Sequence, residues 1–415
     1  MSSHRPLLAD DGRLSLIIIL ALLYVSALVT LGPTVQPSQW YVGPENNQGA
    51  AEARAWLDGR LDLPSRGGDV ALYNGRYYNI FPPLWTVICF IVYGLNRLLF
   101  GEPLVFWPWL YALIVAGPIP LLFYVAFRRS GTSCFWAPVL AFYAIAGTCL
   151  WPVAGMIAGT RTAWIYSIQH LLAQSGLAIM LIDLLGRRRF WLAGLGVLIA
   201  AWSRQPCFLY ALPVLWLASR SPNRRGALVR AAIPIAVALA ASLGLNWARF
   251  GSPLESGYRY QFAGVELSQD NPIRGPDGQA QPVAWRYVRQ HAYEMFVAPP
   301  EIDWTHNGVV ITGRGPRTAL WYGSPLCLVA VLGIRRWWPD PARRALMLST
   351  LPVIFVALIW HGPIEGSPGY YRYVLDFGLI WLAAIAPWTA GPRCRWLTLA
   401  CLAWSVFYFY MLGRA

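Results

Sequence analysis

Apolar runs long enough to cross a hydrocarbon core of about 30 Å recur along the chain, separated by short basic turns and two longer polar stretches. They predict helices over 14–32, 104–127, 133–150, 164–185, 228–248, 318–334, 345–361, 373–389 and 396–412. A further apolar unit, 190–219, is interrupted at Ser203-Arg204-Gln205-Pro206. Pro206 lacks a backbone donor, and Arg204 is costly inside an apolar run unless it faces protein or water. The pattern therefore predicts two short helices meeting at a break, an arrangement tolerated where it lines a cavity. Counting that unit twice gives an all-α polytopic membrane protein of about eleven transmembrane helices, forming one integral membrane domain over 1–415.

The polar stretches cover 33–103 and 249–317. In the first, Asn47 to Asp58 is patterned as a helix, with Ala50, Ala53 and Leu57 on one face and Glu52 on another. Asn74-Gly75 between Ala71-Leu72-Tyr73 and Arg76-Tyr77-Tyr78 predicts a tight hairpin, since both turn residues tolerate positive φ. Pro82-Pro83 then opens the next segment, where a missing N–H does little harm. In the second stretch Trp285, Val288, Ala292, Met295 and Phe296 recur at helical spacing and predict an interfacial amphipathic helix.

The arginines set the topology. The chain is 57% apolar with a net charge of +14, and its basic residues are all arginine. Lysine chemistry, Schiff-base or P-loop, is thereby excluded. Arg128-Arg129, Arg187-Arg188-Arg189, Arg224-Arg225, Arg335-Arg336 and Arg343-Arg344 each close an apolar run, which is the positive-inside pattern rather than a nucleic-acid surface. All clusters fall on the inner side only if Leu84 to Phe100 does not cross but lies in the outer interface or re-enters. The first run, preceded by Arg5 and Arg13 and followed by no small-residue cleavage site, reads as a retained anchor. The N-terminus is then cytoplasmic and both polar stretches face the exterior of the inner (plasma) membrane. The seven cysteines lie in or beside apolar runs without metal-ligand spacing and read as small core hydrophobes.

Few residues carry candidate chemistry. Glu45 and Asp69 are carboxylates of the first outer stretch, able to act as a general base or to cap a helix and a turn. Arg372 stands at an outer helix end among Tyr370, Tyr371 and Tyr373, suited to a phosphate or to lipid headgroups. Asp376 lies one turn further in and needs a partner, which Arg372 at i−4 can supply. Asp183 beside Arg187 fits an ion pair, and His306 and His361 stand alone.

The first outer stretch resembles that of the GT-C superfamily of polyprenyl-phosphate-sugar glycosyltransferases. Aminoarabinose transferases and protein O-mannosyltransferases of that superfamily open this loop with an Asp-Glu pair. A juxtamembrane helix, a Gly-Asp step, an Asn-Gly turn with aromatics and a Pro-Pro-Leu follow. Here Glu45, Glu52 to Leu57, Gly59, Asn74-Gly75 with Tyr77-Tyr78, and Pro82-Pro83-Leu84 match in spacing. Gly59-Arg60-Leu61-Asp62-Leu63, Phe81-Pro82-Pro83, Asn246 to Tyr260, and Tyr370 to Tyr373 before Asp376 resemble a broader set of uncharacterised bacterial membrane proteins. The chain departs from the family at Pro44, where the catalytic Asp would stand, at Phe81, where a basic residue precedes Pro-Pro, and at Tyr166 and Ser167, where a second acid is expected.

The resemblance implies direct glycosyl transfer. A carboxylate deprotonates an acceptor hydroxyl, which attacks the anomeric carbon as polyprenyl phosphate leaves. Glu45 is the first choice of base and Asp69 the second. Arg372, then Arg259 and Arg76, with Tyr371 and Tyr258, are assigned to the leaving phosphate. The implied partners are a polyprenyl-phosphate sugar donor, membrane lipids and a glycan, lipid or protein acceptor, and no nucleic acid. Two carboxylates are able to hold a divalent cation, although nothing in the pattern demands one. Two alternatives remain open: a non-catalytic GT-C-fold scaffold in envelope glycan assembly, and a lipid or solute transporter.

Overall fold

The computed structural model describes residues 47–64, 69–101, 115, 117–150, 164–261, 280–305, 308–312, 318–360, 372–389 and 391–412. The described chain is mostly helical, with two small antiparallel hairpins. It begins with α1 (Gln48–Leu57), which Asn47 caps by accepting from Ala50 N at 3.1 Å and which ends at Gly59 with φ +70°. The hairpin of β1 (Val70–Tyr73) and β2 (Arg76–Asn79) turns at Asn74 (φ +49°) and Gly75 (φ +74°), as predicted for a two-residue turn with both φ positive. Leu63 extends this sheet by donating its N–H to Tyr77 O at 2.7 Å.

Next comes α2 (Leu84–Phe100), capped by Pro83. It buries Trp85, Thr86, Cys89 and Tyr93 and leaves Phe90, Ile91, Leu95, Leu98, Leu99 and Phe100 exposed. The helix thus packs by one face and leaves an apolar stripe facing outward on the other.

The bundle comprises α3 (Pro118–Arg129), α4 (Trp136–Ala146), α5 (Trp164–Leu184), α6 (Trp191–Ser203), α7 (Ala211–Ser219) and α8 (Arg224–Phe250). After the second polar stretch, which carries α9 (Arg286–Phe296) and the hairpin of β3 (Glu301–Thr305) and β4 (Gly308–Thr312), it resumes with α10 (Leu320–Gly323) and α11 (Pro325–Leu332). The last helices are α12 (Ile334–Trp337), α13 (Pro341–Ile359), α14 (Gly378–Thr389) and α15 (Arg395–Leu412). One apolar core runs from Ala50 and Trp85 through every long helix to Phe409. Small residues let its centre close: a Cβ on Gly196 would stand 2.5 Å from Met180 N on α5, and one on Gly194 2.5 Å from Ala231 O on α8. Among the described residues two helices, α8 and α13, are long and apolar enough to cross a membrane, and further apolar helices are shorter.

The unit at 190–219 breaks where expected. Arg204 is extended (φ −140°, ψ 107°), and a 3-10 turn over Gln205–Tyr210 leads into α7. The predicted 318–334 helix differs, for it divides at Ser324. Pro325 restarts it without an N–H, and Ser324 Oγ instead donates to Gly147 O at 2.8 Å. The predicted 373–389 helix begins with a 3-10 turn, Arg372–Asp376, before α14. In α9 the helix is present but its buried face is Tyr287, His291, Glu294 and Met295, with Trp285 exposed at its start. The face turns because polar groups find partners inside: Tyr287 OH donates to Gln281 O at 2.6 Å, and His291 Nδ1 lies 3.1 Å from Leu358 O. The first predicted helix, 14–32, lies outside the described residues.

Several arginine clusters meet at one end. Arg129 packs against Gly186 and lies within electrostatic reach of Arg187 and Arg189, and Arg343 donates to Ser130 O at 2.7 Å. Asp183 serves this end differently from the expected pairing with Arg187. Its oxygens accept from the backbone N–H of Arg189 (2.7 Å) and Ala193 (3.0 Å), closing the α5–α6 turn.

Candidate functional site

The site is assembled at the other end of α6, whose 13 residues carry the chain about 20 Å from the arginine-rich turn. Two layers build it. The outer layer fastens the first polar stretch to the end of α8. Glu52 is fully buried and forms a close ion pair with Arg249, and its Oε2 also accepts from Asn79 Nδ2 and Thr86 Oγ1, both at 2.8 Å. Asn79 Oδ1 in turn accepts from Phe81 N at 3.0 Å, so one buried carboxylate ties together α1, β2, α2 and α8.

Aromatic rings complete this layer. Phe250 meets Tyr73 at 5.7 Å and Tyr78 at 5.5 Å between ring centroids, and Tyr260 meets Tyr73 at 4.9 Å. Gly251 (φ +69°) ends α8, and Gly257 (φ +83°) passes so close to Phe250 that a Cβ would stand 2.5 Å from its ring. Glu255 accepts from Gly257 N at 2.8 Å, and Asn246 Nδ2 donates to Pro253 O at 3.2 Å. The Asn246-to-Tyr260 segment thus works as a dock for the first polar stretch.

The inner layer carries the charges. Arg204, part-buried at the helix break, donates from Nε to Asp376 Oδ1 (3.2 Å) and from a terminal nitrogen to Oδ2 (2.9 Å). Tyr210 OH donates to Asp376 O at 2.8 Å, and Gln174 Nε2 donates to Leu375 O at 2.5 Å, which fixes the Arg372–Asp376 turn against the Gln205–Tyr210 turn and α5. His170, buried on α5, brings Nδ1 to 3.4 Å from Asp376 Oδ1. The guanidinium groups of Arg204 and Arg372 stand over the Tyr373 ring at 5.0 and 5.7 Å.

Asp69 and Tyr258 link the two layers. Asp69, just before β1, is partly buried and accepts from Gln261 Nε2 at 2.6 Å. Burial raises its carboxyl above the ordinary value, while the Gln261 hydrogen bond and the charge of Arg372 pull it down. Tyr258 stacks edge-on against Trp360 at 4.6 Å, and burial pushes its phenol up despite the nearby Arg204 charge.

Of the residues expected from the sequence, the fold brings Asp69, Arg372 and Tyr258 into one cluster. Glu45 and Tyr371 lie outside the described residues, as do His306 and His361. Arg259 is exposed, stacks on Tyr260 and pairs with Glu255 at 2.6 Å. Arg76 is exposed beside the hairpin turn. Asp376 pairs with Arg204 and not with Arg372, because a 3-10 turn does not stack i−4 side chains as an α-helix does.

Sequence reasoning missed three members, Arg204 as a site residue, His170 and Glu52. Arg204 carried a signal, a charge inside an apolar unit. His170 carried a weaker one, since His170 and Gln174 recur at i+4 within an apolar helix. Glu52 offered none, as its burial depends on Arg249, 197 residues away. Among the described residues no three His, Cys, Asp or Glu gather as a metal centre. No family model, no curated protein and no solved structure matches this chain.

Proposed function

We propose that this chain is a polytopic inner-membrane glycosyltransferase of GT-C-like architecture. It would move a sugar from a polyprenyl-phosphate donor to an acceptor on a glycan, lipid or protein at the outer face. The observation that carries this reading is the gathering of Arg204 and Arg372 over the Tyr373 ring at a helix break, with Asp69, from the first outer stretch, within electrostatic reach of Arg372. Two guanidinium groups suit a leaving phosphate, because each offers a planar fork of donors. Asp69, drawn out of water and short of full ionic pairing, suits a proton acceptor better than a solvated carboxylate does.

The membrane reading draws support from the surface. Leu212, Val229, Ile233, Val237 and Trp247 are large apolar side chains on α7 and α8 that stay exposed, which water penalises and lipid does not. The arginine-rich end and the cluster end lie at opposite ends of α6, as the positive-inside rule asks of a cytoplasmic and an exterior face.

In the mechanism, the donor phosphate lies against Arg372 and the free edge of Arg204, with Asp376 holding the latter in place. Asp69 takes the proton of the acceptor hydroxyl as its oxygen attacks the anomeric carbon. The C–O bond to phosphate breaks, and the guanidinium groups stabilise the charge that develops on the leaving oxygen. The test is turnover by the purified chain in vesicles, read as release of polyprenyl phosphate from polyprenyl-phosphate glucose, mannose and arabinose. Release that D69N lowers a hundredfold or more is expected. Release undiminished in D69N would remove the assigned base.

A further inference from the structure

His170 has no role in that mechanism, yet it is 1% exposed. Its Nδ1 faces Asp376 Oδ1 at 3.4 Å, and among the described residues Nε2 meets no hydrogen-bonding partner. Both Asp376 oxygens are already held by Arg204, and the Tyr373 ring lies 6.3 Å from the imidazole. A polar nitrogen buried without a partner is uncommon and points to a bound group that completes it. In the neutral ring a carboxylate beside Nδ1 draws the proton to that nitrogen and leaves Nε2 an acceptor. An ionised phosphate ester has no proton to offer such an acceptor. A hydroxyl does.

We infer that His170 Nε2, turned by Asp376, accepts a hydrogen bond from a hydroxyl of the sugar carried by the lipid donor. This rests on the donor reading given above. The cluster then divides its work, with Arg372 and Arg204 holding phosphate and His170 reading the sugar. Asp376 is a positioning residue for both, through Arg204 on one side and the imidazole on the other. The geometry also separates this group from the base, since Asp69 comes from the outer stretch and His170 from α5, with Arg372 within electrostatic reach of each.

The experiment compares binding of two probe types to the full chain in lipid nanodiscs, without acceptor. One is bare polyprenyl phosphate and the other is polyprenyl-phosphate glucose, mannose or arabinose. H170A is expected to weaken the preferred sugar lipid about tenfold, the scale of one lost buried hydrogen bond, and to leave bare polyprenyl phosphate unchanged. H170Q, which keeps an acceptor, is expected to recover part of the loss and guards against a folding defect in H170A. R372Q is expected to weaken both probe types. Equal effects of H170A on both, or no effect on either, would overturn the sugar contact while leaving the phosphate site standing. Failure of the wild-type chain to bind any of these lipids would overturn both readings.

Discussion

Arg204 and Asp376 lie 172 residues apart in sequence and form a two-point ion pair where a broken helix meets a 3-10 turn. The pair closes the cost of the break: the arginine that would be intolerable in an apolar run becomes the anchor of the second segment. Tyr210 and Gln174 hold the same turn by its carbonyls, so the charges are presented on fixed backbone.

Removing either partner should be damaging because the other is left buried with its charge unmatched. R204M and D376L alone are each expected to destabilise the chain by about 3–5 kcal/mol, and the double variant by much less. Unfolding in detergent, followed across this double-mutant cycle, checks it.

The same logic applies to the outer layer. Glu52 and Arg249 fix the first polar stretch to α8. E52Q keeps hydrogen-bonding capacity toward Asn79 and Thr86 but leaves Arg249 buried without its counter-charge. We expect limited proteolysis to cut between residues 47 and 84 faster in E52Q, with the bundle helices still protected. Unchanged cleavage would mean that the aromatic contacts of Phe250 suffice alone.

Asp69 gives a pH dependence with a defined sign. Its carboxyl is raised from 3.8 by burial and lowered in part by Gln261 and Arg372. A base works as carboxylate, so turnover should fall as pH drops through this raised value. Q261L removes a lowering influence and should move the acid limb of the rate profile to higher pH. Because the folded state favours the neutral form, the stability that Asp69 contributes is present below 3.8 and is lost as pH rises through the folded value. A limb that stays in place in Q261L contradicts the assignment.

Topology can be read by labelling. A cysteine placed at Asn74, on the exposed hairpin turn, is expected to react with an impermeant thiol reagent in intact cells. One at Arg188, in the arginine-rich turn, is expected to react only after lysis. The native cysteines, five of them buried, form the unlabelled background. The opposite labelling pattern would invert the proposed orientation.

Much of the fold was legible because it rests on local rules. The Asn74-Gly75 turn, the Asn47-capped helix and the break at Arg204 each follow from a few adjacent residues. Within the described residues hydrophobic periodicity placed most of the long helices to within a few residues, while 14–32 and the first part of 104–127 lie outside them. It failed at Ser324 and at the 3-10 turn before α14, where a proline and a distant partner carbonyl decide the geometry.

The site was legible in part for the same reason. Asp69, Arg372 and Tyr258 announce themselves as polar residues beside apolar runs. His170 and Glu52 owe their importance to partners 206 and 197 positions away in the chain, which no local pattern encodes. The pairing of Arg259 with Glu255 four residues before it was not anticipated, because an exposed arginine beside tyrosines looks alike in sequence with or without such a partner.

The most direct measurement is a structure of the chain in nanodiscs with a non-hydrolysable polyprenyl-phosphate sugar analogue. The account predicts phosphate density against Arg372 and Arg204, with the Asp69 carboxylate facing the anomeric carbon. A phosphate bound elsewhere, or a cluster that stays closed at saturating analogue, would contradict it.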